Sequence, residues 1–76
     1  MEISFFLKRF SEQFEETDSQ LITETAVFRD LEEWNSILAL SILAMVEDEY
    51  NVILTGDEMR SASTIKELFD IISLKS

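Results

Sequence analysis

Ser36 is the side chain whose neighbours best equip it for chemistry. It follows Asn35 and the acidic segment Asp30-Leu31-Glu32-Glu33-Trp34, and it precedes the apolar run Ile37-Leu38-Ala39-Leu40. A serine hydroxyl is a weak nucleophile unless an adjacent base or another enzyme activates it. The chain supplies no such base of the usual kind, because it contains neither histidine nor cysteine. That composition removes the commonest general base, the commonest metal ligand and the strongest nucleophile. Carboxylates are plentiful, but neighbours such as Glu32-Glu33 and Glu47-Asp48-Glu49 point to different sides of a helix and do not form a catalytic dyad. A single glycine, Gly56, cannot build a phosphate-cradling loop, and the spacing of a calcium-binding loop is absent. These residues place catalysis last among the functions open to the chain. Taken alone, Asn35 and Ser36 also suit the start of a helix for backbone reasons, since their side-chain oxygens accept free N–H groups there.

The elements that must position Ser36 follow from hydrophobic spacing. Without proline and with one glycine in 76 residues, the usual breakers are missing and helix is the default. Ile3, Phe6, Leu7, Phe10 and Phe14 form one stripe and predict a first helix over about Ile3 to Glu16. From Thr17 to Asn35 the pattern loosens into a long connection pinned by Leu21, Ile22, Val27, Phe28 and Leu31. Its length exceeds the ordinary limit of about 12–15 residues, so it is expected to be functional or to contain a short helical turn. Ser36 to Tyr50 carries an uninterrupted helical pattern with Ala39, Ile42, Leu43, Val46 and Tyr50 as the buried stripe. Ile37, Leu40, Ala44 and Met45 make a second apolar strip that one core does not explain. Asn51 ends this helix, Val52-Ile53-Leu54 reads as an extended link, and Thr55 to Met59 as one helical turn. Thr64-Ile65-Lys66-Glu67 fits a capping box opening a last helix over about Thr64 to Leu74. The expected architecture is all-α, a four-helix bundle with three long helices, one short helix and a long first loop, in a single domain spanning 1–76.

Sixteen acidic and six basic residues give a net charge of −10, which repels phosphate backbones and anionic lipid surfaces. Nucleic acid and membranes are therefore excluded as partners, and partners with basic patches are expected. Between Ser11 and Glu58, thirteen carboxylates face one cation, Arg29. No segment reaches the roughly 20 apolar residues of a membrane span. The start, Met1 to Phe6, lacks the basic flank of a secretory signal, so a cytoplasmic protein is expected.

The segment around Ser36 resembles the acyl carrier protein family, including the peptidyl and D-alanyl carriers, whose signature is Asp-Ser-Leu at the start of the second helix. Here it reads Asn35-Ser36-Ile37. The resemblance continues through Glu47-Asp48-Glu49-Tyr50, Val52, Leu54, Asp57-Glu58 and Ser63-Thr64-Ile65, and covers about Val27 to Leu74. It implies that Ser36 is esterified by a phosphopantetheinyl transferase with 4′-phosphopantetheine from coenzyme A, within an attachment region 30–50. The thiol of that arm would carry an acyl or related thioester between acyl-loading and acyl-transferring enzymes. A chain without cysteine could do this, because the thiol belongs to the cofactor. Leu40, Ala44 and Met45 would then be the docking face, with Glu47 and Asp48 steering basic patches. The pattern departs from the family at Asn35, which replaces an aspartate that assists the transferase. It departs again at Leu38 and Ser41, where fatty-acid-synthesis carriers place acids. These differences, with Trp34, point to a specialised biosynthetic pathway; as a mobile donor the carrier is expected to be a monomer. The rival readings are an unmodified acidic helical adaptor that binds a partner helix, and an acidic mimic of nucleic acid.

Overall fold

Phe6, Phe10 and Phe14, set four residues apart, all turn inward and are buried. The first two lie in the first helix, α1 (Ile3–Glu12). The computed structural model describes residues 2–76; Met1, the first residue of the expected domain, lies outside the described residues. Three further helices follow: α2 (Ser36–Tyr50), α3 (Gly56–Ser61) and α4 (Ile65–Lys75). Among the described residues there is no strand, only an isolated bridge between Val27 and Thr64. The expected all-α bundle of three long helices and a short one is what forms. Its core runs from the α1 phenylalanines through Ile42 and Val46 of α2 to Ile65, Leu68 and Ile72 of α4. No helix among the described residues is long and apolar enough to cross a membrane.

Each later helix starts at a side-chain cap, that at Thr64 as predicted and that at Thr55 in addition. In α3, Thr55 Oγ1 accepts the Glu58 N–H at 3.1 Å while Glu58 Oε1 accepts the Thr55 N–H at 2.9 Å. Thr64 and Glu67 make the same reciprocal pair at the start of α4. Asn51 closes α2 in the left-handed conformation, φ 55°, which asparagine adopts more readily than other side chains.

The short helix runs two residues past the expected Met59, to Ser61, and the largest departure from an expected boundary is in α1. The first helix stops at Glu12, four residues short of Glu16. The N–H groups of Glu15, Glu16 and Thr17 turn instead to the Glu33 carboxylate, at 2.7, 3.0 and 2.9 Å, and the Thr17 hydroxyl joins them at 2.7 Å. Bonds to a charged acceptor are roughly twice as strong as neutral ones, so the carboxylate outcompetes another helical turn.

The long first connection is built, not loose. It contains two 3₁₀ turns, Ser19–Leu21 and Phe28–Asp30, and it buries Ile22 and Phe28. It also serves α4, whose first N–H groups lack intrahelical acceptors. Ile65 N–H donates to the Ala26 carbonyl at 3.1 Å and Lys66 N–H to the Glu24 carbonyl at 2.9 Å.

Candidate functional site

Ser36 is the first residue of α2, and what fixes it is the residue before it. Asn35 is the N-cap: its extended backbone turns the chain into the helix, and its Oδ1 accepts the Leu38 N–H at 2.8 Å. The Asn35 carbonyl accepts the Ala39 N–H at 2.9 Å. The capping role expected of Asn35 on structural grounds is therefore filled. Ser36 itself is exposed, and its hydroxyl has no hydrogen-bond partner among the described residues. The backbone N–H groups of Ser36 and Ile37 precede the first intrahelical donor and face the positive end of the helix dipole. No acidic residue sits in that first turn to repel an anion.

The approach to Ser36 is anchored from two sides. Glu33 holds residues 15–17 as described, and those bonds keep its carboxyl down at about 2, with the Glu15 N–H the largest contributor and the Thr17 hydroxyl next. Trp34 is half-buried in an aromatic cluster, its ring plane within 4° of Phe10 at 6.4 Å and edge-on to Phe28 at 5.1 Å. A segment anchored by these contacts thus presents an exposed hydroxyl.

Beyond Ser36, α2 presents an exposed strip. Ile37 and Leu40 are 74% and 65% exposed, and Ala44, Glu47 and Asp48 continue the same face. Met45 does not belong there and is corrected: it is 6% exposed and part of the core. At 100° per residue it lies about 80° round the helix from Ile37. That rotation puts it in line with Leu38 and Ile42, which are also buried. Leu38 therefore occupies a core position, where an unpaired acid would be costly. The predicted inner stripe holds for Ile42 and Val46, while Ala39, Leu43 and Tyr50 are half-buried at its margin.

The acidic end of α2 is divided by partner. Glu49 pairs with Arg9 of α1, Oε1 to Nε at 3.1 Å, whereas Glu47 and Asp48 stay exposed beside Ala44. Carboxylates at a helix C-terminus oppose the macrodipole. For Glu49 the cation offsets that cost. Three residues that bear on the site were not singled out from the sequence as part of it: Glu33, which holds the approach, and Arg29 and Arg60, which line a groove beside Ser36. Arg29 stood out as an isolated cation, but nothing local linked it to Ser36.

A family model described as the phosphopantetheine attachment site matches residues 5–72. The match takes in most of α1 as well as nearly all of the region from Val27 onward that carried the resemblance. No curated protein and no solved structure matches the chain.

Proposed function

This chain belongs to the family of phosphopantetheine attachment domains, and on that premise we propose that Ser36 is the residue to which the cofactor is attached. The family holds 4′-phosphopantetheine covalently, its members are carriers and not enzymes, and they work with a phosphopantetheinyl transferase and biosynthetic enzymes. What supports Ser36 in particular is its exposed, unpartnered hydroxyl on the first turn of a 15-residue helix. In the attachment step the Ser36 oxygen forms a bond to the phosphorus next to the pantetheine arm. The pyrophosphate of coenzyme A breaks, adenosine 3′,5′-bisphosphate leaves, and the hydroxyl proton passes to the transferase. The resulting phosphodiester is an anion, and the free N–H groups and dipole of α2 stabilise it where it forms.

The loaded protein carries an acyl or related thioester between partners, in a specialised biosynthetic pathway of the cytoplasm. It works as a monomer, through one carrier domain whose attachment region spans residues 30–50. Partners dock on the exposed strip of Ile37, Leu40 and Ala44, and their basic patches are drawn by Glu47 and Asp48. The departures at Asn35, Leu38 and Ser41 favour a partner set other than that of fatty-acid synthesis. Incubation with coenzyme A and a promiscuous transferase, followed by intact mass, tests the proposal. One added phosphopantetheine is expected, and a protein of unchanged mass would rule it out.

A further inference from the structure

Two of the six cations, Arg29 and Arg60, share one groove with Ser36. The groove, of about 290 Å³, lies between the start of α2, the Phe28–Asp30 turn and α3, and no carboxylate lines it. Three other hollows among the described residues, of about 510, 650 and 260 Å³, are each lined by two or more acidic side chains. In a chain with sixteen acids, the immediate setting of Ser36 is therefore reversed in sign. Asn35 adds to the reversal, because it is uncharged where the family signature has an aspartate.

Contacts within the chain use only part of each guanidinium. Arg29 Nη1 donates to the Met59 carbonyl at 3.2 Å. Arg60 folds back along α3, with Nη1 3.5 Å from where a Cβ on Gly56 would stand, and pairs with Asp57 through Nη2. That pair is open to water, its side chains 72% and 89% exposed, so it contributes little and exchanges readily for another anion. A guanidinium has five N–H donors, so each keeps several. Cations on a face that recruits basic partners weaken docking, which makes their place beside Ser36 unfavourable unless an anion arrives there. The anion that must reach Ser36 is the diphosphate of coenzyme A.

Resting on the attachment at Ser36, we infer that Arg60 and Arg29 are catalytic residues of the transfer step, supplied by the acceptor protein and not by the transferase. The Ser36 oxygen forms its bond to the phosphorus next to the pantetheine arm while the bond from that phosphorus to the bridging oxygen breaks. The bridging oxygen keeps the electron pair and leaves as part of adenosine 3′,5′-bisphosphate, and the hydroxyl proton goes to the transferase. Negative charge gathers on the departing phosphate as that bond breaks. Transfers of this kind are catalysed by positioning and by positive charge set against the oxygens of the reacting group. Arg60, exposed and weakly paired, is the one free to close on those oxygens; Arg29, tied to the Met59 carbonyl, supplies a fixed charge. The contacts strengthen only as the bond breaks, so they raise the rate of attachment without tightening the complex.

Single-turnover rates with the transferase in excess and its concentration varied, read by intact mass, separate transfer from docking. Arg60→Gln should lower the maximal rate about tenfold or more, while the half-saturating transferase concentration stays within about twofold of wild type. Arg60→Lys should recover part of the loss, since it restores the charge without the planar fork. Arg29→Gln added to Arg60→Gln should lower the rate further, with thermal melts verifying that both proteins fold; a double variant as fast as the single one removes Arg29 from the step. With 3′-dephospho-coenzyme A as donor the Arg60→Gln deficit should persist, whereas a deficit confined to coenzyme A would put Arg60 on the 3′-phosphate and overturn its role at the reacting phosphorus. A maximal rate unchanged in Arg60→Gln, or a change in half-saturation alone, overturns the inference and leaves the carrier function standing. A wild type that gains no mass, or a gain that survives Ser36→Ala, instead overturns the attachment at Ser36.

Discussion

The Thr17 hydroxyl donates to Glu33 Oε1 at 2.7 Å, and the same oxygen accepts the Thr17 backbone N–H at 2.9 Å, across sixteen residues of chain. With the N–H groups of Glu15 and Glu16 on the same carboxylate, this tie ends α1 and fixes the segment that leads to Ser36. One acidic side chain thereby connects a helix boundary to the geometry of the site.

The tie has a pH signature. The Glu33 carboxyl is lowered from 4.5 to about 2 by its donors, Glu15 N–H first. A depressed folded-state pKa gives stability that is fully present above the unfolded value and is lost as pH falls through the folded one. Glu33→Ala should therefore melt several degrees below wild type at pH 7. That difference should hold down to about pH 4.5 and shrink steadily toward pH 2. Thermal melts of both proteins across this range check it; a difference independent of pH would contradict the charged tie.

The two apolar sides of α2 should respond differently to truncation. Met45→Ala removes a core side chain and should cost about 2–5 kcal/mol by urea denaturation. Leu40→Ala, on the exposed strip, should stay within about 0.5 kcal/mol of wild type. Equal losses at the two positions would contradict the assignment of faces.

Asn35 separates capping from charge. Asn35→Ala leaves the Leu38 N–H without its partner and should cost about 0.5–2 kcal/mol. Asn35→Asp keeps that bond, adds a charge favoured at a helix N-terminus, and should match or exceed wild-type stability. If the aspartate of the family signature assists the transferase, Asn35→Asp should also be modified several-fold faster, as read by mass against time.

Steering by the acidic strip is tested by charge reversal. Glu47→Lys with Asp48→Lys changes two exposed side chains and should leave the melting temperature within a few degrees. Modification by the transferase should slow several-fold at low salt, and the difference from wild type should narrow as salt rises. A rate unchanged at low salt would remove these acids from docking.

Much of the fold was legible because it rests on local signals. The four-residue spacing of Phe6, Phe10 and Phe14, the Thr64 to Glu67 capping box and the asparagine at 51 each act within one or two turns of chain. What escaped depends on contacts between distant segments. The end of α1 is set by Glu33, not by the residues around Glu12. Met45 was grouped with Ala44 because adjacent positions on an apolar helix differ only in which neighbour they meet, and here α2 turns Met45 inward. The turns of the first connection form because Phe28 is buried and because Ala26 and Glu24 supply acceptors to α4. Ser36 and its cap Asn35 were readable, since a cap is a local feature. The groove was not, because it joins Arg29 and Arg60 from opposite sides of α2 in the chain.

The most direct test locates the modification within the chain. After treatment with coenzyme A and transferase, trypsin cutting at Arg29 and Arg60 releases a peptide from Asp30 to Arg60 whose hydroxyl side chains are Ser36, Ser41, Tyr50 and Thr55. Fragmentation of that peptide should put a single phosphopantetheine on Ser36, and Ser36→Ala should give the same peptide unmodified. Phosphopantetheine on Ser41, Tyr50 or Thr55, or a Ser36→Ala protein modified as fully as wild type, would contradict Ser36 as the point of attachment.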